Sequence, residues 1–256
     1  MDNLRDIHIS GGGRVGGGRC GSVNISGSGK IQGNLECENF HVSGAGKVED
    51  GSLTVHGPVV CSGAAKVEGP INAVSARVSG SLHVEGSAEF QEALSVSGSF
   101  KTEGDLKAGS LSASGVCKTE GSISGNVISV SGVLKAEGDV QAERFQSTGA
   151  LSIEGLLNAE TIEIQLSGDS MIHTIGGGSV QVVKKSGSFV LFGLSRRTHL
   201  TSELIEADEI NLEYTDCETV RGVNVHVGPE CVIDRVEYSG TLTTDANCTV
   251  REKVKI

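Results

Sequence analysis

A phrase of the form Ser-Gly-x-x-Lys-x-Glu-Gly returns along this chain every 17 or 18 residues. The glycines that close successive copies are Gly33, Gly51, Gly69, Gly86, Gly104, Gly121, Gly138 and Gly155, at steps of 18, 18, 17, 18, 17, 17 and 17. A unit this short cannot bury its own apolar side chains. It has to stack on copies of itself, so the repeat dictates a solenoid before any other feature is read.

Inside each unit the apolar residues come in alternating pairs. One unit reads Leu134/Ala136, Val140/Ala142 and Phe145 with Ser147; the next reads Leu151/Ile153, Leu157/Ala159 and Ile162/Ile164. The same offsets recover Phe100/Thr102, Leu106/Ala108 and Leu111/Ala113, and earlier Gly29/Ile31, Leu35/Cys37 and Phe40/Val42. Alternation is the two-residue period of a strand. A glycine or small polar residue follows each pair, where the chain bends. Each unit is therefore three short strands and three corners, and at ~3.3 Å per residue its sides are ~18 Å long. The expected fold is all-β: a single-stranded parallel β-helix, a triangular β-solenoid of 17–18 residues per coil. The irregular step favours the right-handed form over a left-handed hexapeptide helix. A narrow interior also accounts for 37 Gly, no Trp and only 3% aromatic residues.

Outward positions line up as well. Lys30, Lys47, Lys66, His83, Lys101, Lys118 and Lys135 form one column. Two residues on, Gln32, Glu49, Glu68, Glu85, Glu103, Glu120, Glu137 and Glu154 form another. Neighbouring columns of opposite sign offset the repulsion within each, which makes a self-compensating solvated face; a docking strip is the alternative reading.

The pattern divides the chain into coils over 1–183, a protruding loop at 184–201, further coils over 202–246 and a loose tail at 247–256. The loop carries an apolar tip, Phe189, Leu191, Phe192 and Leu194, between basic shoulders, Lys184, Lys185, Arg196 and Arg197. It suits either folding back over a solenoid face or shallow insertion into an anionic membrane.

Other motifs carry less. Gly11, Gly13 and Gly16 match a dinucleotide fingerprint, but strand and turn residues follow instead of a helix. "SGSGKI" and "SGAGKV" lack the first glycine of a P-loop, with Asn24 and His41 in its place. His41, His56 and His83 fall on outward positions of different coils, so no metal or catalytic cluster is expected. Cys20 and Cys37 are one coil apart at inward positions and read as small hydrophobes. Seven cysteines without a C-x-x-C pair suit a reducing cytoplasm. A net charge of −11 argues against nucleic acid. No run of 18 apolar residues and no apolar leader is seen, so a cytoplasmic protein is expected, at most peripheral to the membrane.

The repeated "SG-x-x-K-x-EG" phrases resemble the bactofilins, bacterial polymer-forming cytoskeletal proteins. The stretch "LTSELIEADEINLEYTDCETVRGVNVHVGPECVIDRVEY", Leu200 to Tyr238, resembles more closely a longer Gram-positive branch of that family. The resemblance implies a right-handed β-helix that stacks end to end into homopolymeric filaments without nucleotide or cofactor. Such filaments are scaffolds for envelope, cell-shape or motility machinery and are not enzymes. Candidate contacts for polymerisation are Ile7, Ile9, Val23 and Ile25 at one end, and Ile233, Val236 and Tyr238 at the other. The competing readings are a monomeric solenoid binding module and a β-helix acyltransferase.

Overall fold

The computed structural model describes residues 4–184 and 198–256. They fall into two compact units, Met1–Gly125 and Asn126–Ile256. Each unit is a parallel β-solenoid, so the expected all-β architecture is the one adopted.

In the first unit the coil is built as the alternation predicts. Strand Ser81–Val84 pairs in parallel with Ala64–Val67 on one side and Ser99–Thr102 on the other. Ala88–Val96 pairs with Ile71–Val78 and Leu106–Ala113, with a register shift after Phe90 where the strand turns a corner. Inward residues stack in register: Leu82 lies between Ala65 and Phe100, and Leu94 between Ala76 and Leu111. The interior is filled by one residue per coil per column. Phe40, Phe90 and Phe100 are among its bulkiest fully buried side chains, and Phe90 meets Phe100 edge-on, 6.2 Å between ring centroids. Two inward positions are threonines. Each hydroxyl donates to a carbonyl one coil away, Thr102 to Gly86 at 2.6 Å and Thr119 to Gly104 at 2.7 Å, so no buried hydroxyl is stranded.

The Ser-Gly half of the repeat has a backbone cause. At each such corner both amides donate to a single carbonyl one coil below: Ser79 and Gly80 to Cys61, and Ser97 and Gly98 to Val78. The next amide donates to the glycine carbonyl beneath it, as from Ser81 to Gly63 and from Ser99 to Gly80. A Cβ on Gly98 would strike the carbonyl oxygens of Gly80 and Ser79. Only a hydrogen atom fits there, which is why the phrase recurs.

In the second unit the strands lengthen as the corners straighten. Ala150–Leu166, Ser170–Lys184, Leu200–Leu212, Thr215–Val227 and Val232–Thr244 each run through more than one side. Inward columns persist, Leu157–Ile175–Ile205–Val220–Val236 among them. The tail read as loose is ordered: Thr249–Lys255 is a strand paired in parallel with Val232–Thr244. It was hidden because its residues at two inward registers are lysines, Lys253 over Val236 and Lys255 over Tyr238. Such positions tolerate charge only where no further coil covers them.

Six of the seven cysteines are buried and all seven are free. Burial pushes the thiols of Cys37, Cys117, Cys217 and Cys231 up to about 12 and that of Cys61 up to about 11. Among the described residues no helix is long and apolar enough to cross a membrane.

Candidate assembly surfaces

The charged columns are built as read. Arg14, Lys30, Lys47, Lys66, His83, Lys101 and Lys118 are successive register partners. Their partners are offset by one coil. Lys30 reaches Glu49 at 2.9 Å, Lys47 reaches Glu68 at 2.6 Å, Lys66 reaches Glu85 at 2.6 Å and Lys101 reaches Glu120 at 2.9 Å. The ladder thus ties each coil to the next. Single exposed pairs of this kind contribute little, ~0–1 kcal/mol each.

Glu49 departs from the expectation of a solvated position. Arg14 at 2.6 Å, Lys30 at 2.9 Å and Lys47 at 3.1 Å converge on it and leave its side chain 10% exposed. The hydrogen bond from Lys30, followed by those from Arg14 and Lys47, lowers its pKa from 4.5 to about 2. A carboxylate with a lowered folded-state value stabilises the fold fully above its unfolded value and loses that contribution as pH falls. The stability difference between wild type and Glu49→Gln, measured by urea unfolding, is therefore expected to be constant above about pH 4.5 and to vanish towards about pH 2. A difference unchanged across that window would show that the three cations do not act on Glu49.

His83 takes a lysine place in the column and lies 3.1 Å from Glu103. With Glu85 it makes the cluster that the sequence reading did not foresee, three possible ligand atoms within 4.8 Å of one another. Lys66 and Lys101 already reach those two carboxylates, at 2.6 and 3.5 Å.

The candidate polymer contacts sort into layers. Ile7 and Ile9 form the outermost described layer at the N-terminal edge, and among the described residues Ile7–Ile9 pairs only with Ser22–Ile25. Val23 and Ile25 are the second layer, buried beneath it. Gly12–Arg19 completes the edge and, among the described residues, pairs on one side only, with Ser28–Cys37. At the other edge Ile233 and Val236 are buried and Tyr238 is half-buried, because Thr249–Lys255 covers them. The outermost layer there is Val250, Lys253 and Lys255. The two edges thus differ in character: apolar inward positions at the first, two ammonium groups at the second.

The membrane-contact candidates Lys185, Phe189, Leu191, Phe192, Leu194, Arg196 and Arg197 lie outside the described residues. Lys184 is described, and its ammonium sits over the Tyr214 ring, 4.3 Å from the centroid.

Stacked parallel coils with in-register columns define a β-solenoid protein. The chain is similar to two proteins of Bacillus subtilis (strain 168). The uncharacterized protein YhbE is 41% identical over 98 residues, which is 38% of this chain and 41% of YhbE. The uncharacterized protein YhbF is 32% identical over 96 residues, 37% of this chain and 39% of YhbF. The match therefore spans about two fifths of the length of each relative. No family model and no solved structure matches the chain.

Proposed function

We propose that this chain is a self-assembling scaffold of the bactofilin kind, which grows by joining solenoid edges and needs no nucleotide. The observation that carries this reading is the N-terminal edge. Among the described residues, Ile7–Ile9 and Gly12–Arg19 each have one strand partner. Their other side presents unpaired amides and carbonyls above an apolar layer of Ile7, Ile9 and Val15. An unblunted edge of this sort is a template for strand addition. Two copies meeting there would cover Ile7 and Val15, which are half-buried in the single chain, and pair the backbone at once, in a two-fold contact.

The C-terminal edge obeys a different rule. Lys253 and Lys255 stand at inward registers, the device by which edge strands resist pairing. Joining two such edges brings four ammonium groups together, so this contact is expected to strengthen with salt as the repulsion is screened. Assembly accordingly proceeds in two stages, dimers through the N-terminal edge and longer polymers as ionic strength rises.

Sedimentation velocity and electron microscopy of the purified chain test this. Wild type is expected to form dimers at low salt and filaments at high salt. Ile7→Arg, at a half-buried outer position, is expected to remain monomeric at low salt with an unchanged β-type circular dichroism spectrum. Lys253→Ser with Lys255→Ser is expected to form filaments without added salt. A wild-type chain that stays monomeric at high concentration across salt and pH would replace this reading with that of a monomeric binding module.

A further inference from the structure

One face of the second unit breaks the charge rule that the lysine and glutamate columns keep as far as Lys135. The cation column enters this unit at Lys135, which is in register with Ser152, then Met171, Thr201, Asp216 and Val232. The cations have gone. The neighbouring acid column continues, two residues further along each strand, through Glu154, Glu203, Glu218 and Asp234, with His173 the one exception. Lys135 reaches Glu154 at 3.5 Å, His173 lies 3.2 Å from Glu203 and Arg251 pairs with Asp234 at 3.0 Å. Among the described residues Asp216 and Glu218 have no ion-pair partner.

These two columns are the walls and floor of a groove of about 520 Å³. Where the lysines would have stood, Met171 is 56% exposed and Val232 42% exposed, among the most exposed large apolar side chains described. Isolated exposed apolar residues need no explanation. Here they share a concave surface with excess negative charge, and that combination selects a partner. An anionic lipid surface or a nucleic acid would be repelled.

We propose that this groove is a docking surface for a partner polypeptide segment carrying cationic and apolar side chains at alternate positions of one face. The spacing supports an extended segment. Val232 and Asp234 lie two residues apart along one strand, ~6.6 Å, which is the separation of side chains i and i+2 on one face of an extended chain, and the unpaired Asp216 and Glu218 are in register beside them. A leucine and a lysine two residues apart therefore face Val232 and the neighbouring acids, Asp234 and Glu218, together, and Met171 extends the apolar contact at the far end of the groove. Methionine is suited to such a role, since its unbranched thioether side chain adapts to different partners. The surface lies on an outward face of the coils and none of its lining residues belongs to the outermost strand, Thr249–Lys255, so it does not depend on the assembly proposed above.

A fluorescein-labelled peptide of three Lys-Ser-Leu-Ser repeats, titrated with the full chain and followed by fluorescence polarisation, tests this. Wild type is expected to bind it, and affinity is expected to fall severalfold between low and physiological salt. Met171→Lys with Val232→Lys, both at exposed positions, is expected to weaken binding at least about tenfold, through lost apolar contact and added repulsion. Lys101→Ser in the first unit serves as the control and is expected to leave binding unchanged. A peptide with serine in place of leucine is expected to bind at least about tenfold more weakly. The proposal is overturned if wild type does not bind the peptide. It is overturned equally if the double variant binds as tightly as wild type, or if the leucine-free peptide binds equally well, since that would be diffuse charge attraction. Binding of Ca²⁺ alone, with no peptide binding, would likewise overturn it by making the acids a cation site.

Discussion

Leu134→Asp is expected to melt the coil that contains it, while Lys135→Ser, one residue along, is expected to leave the fold intact. Leu134 is fully buried at an inward register position, with Leu151 stacked on it. A carboxylate there has no cation within reach and loses its water, a cost of upwards of about 4 kcal/mol. Lys135 only joins exposed pairs with Glu137 and Glu154, at 3.4 and 3.5 Å, and its loss is expected to cost at most about 0.5 kcal/mol. Because a coil touches only its neighbours, the damage is expected to start locally and spread along the stack. Hydrogen exchange would show it as loss of protection centred on 133–136 and 150–153. Equal tolerance at the two positions would refute the inward and outward assignment.

Gly98→Ala is the second substitution with a large expected effect, and its counterpart is Gly11→Ala. Both glycines follow a serine at the same kind of corner. A Cβ on Gly98 meets backbone oxygens of the coil beneath, which cannot rotate out of the way. At Gly11 a Cβ meets nothing within 4 Å. We expect Gly98→Ala to destabilise by about 3 kcal/mol, in the upper range for a rigid overpacked site, and Gly11→Ala to be neutral in the isolated chain. Thermal denaturation separates the two. Gly11 belongs to the N-terminal edge, so the same substitution is expected to weaken dimer formation if that edge is where copies meet.

Much of this was legible because a solenoid writes its geometry into a short period. Pairs such as Leu106/Ala108 and Leu111/Ala113 announced the inward face, and the structure buries all four. The lysine and glutamate columns were visible for the same reason, since equal spacing places equal residues above one another. What was not visible depended on context beyond one coil. The offset pairing of Lys47 with Glu68, and the enclosure of Glu49 by three cations, arise from side chains reaching between coils. The final strand escaped notice because inward registers are apolar only when covered, and Lys253 and Lys255 are not. The loss of the cation column after Lys135 was on the page as Ser152, Met171 and Thr201. Those residues could be placed in it only once the irregular steps of the second unit were resolved by strand register.

The buried cysteines bear on chemical durability. Oxidants and electrophiles attack the thiolate, and a thiol whose pKa is pushed up to about 12 is almost wholly protonated near neutral pH. Six sulfurs are thus withheld twice, by being inside and by being neutral. Cys248, the one cysteine that is not fully buried, is the site where modification can begin without any opening of the coils. For every other cysteine the rate of damage is set by how often its coil comes apart, so the same stacking that holds the chain together also sets its lifetime under oxidative stress.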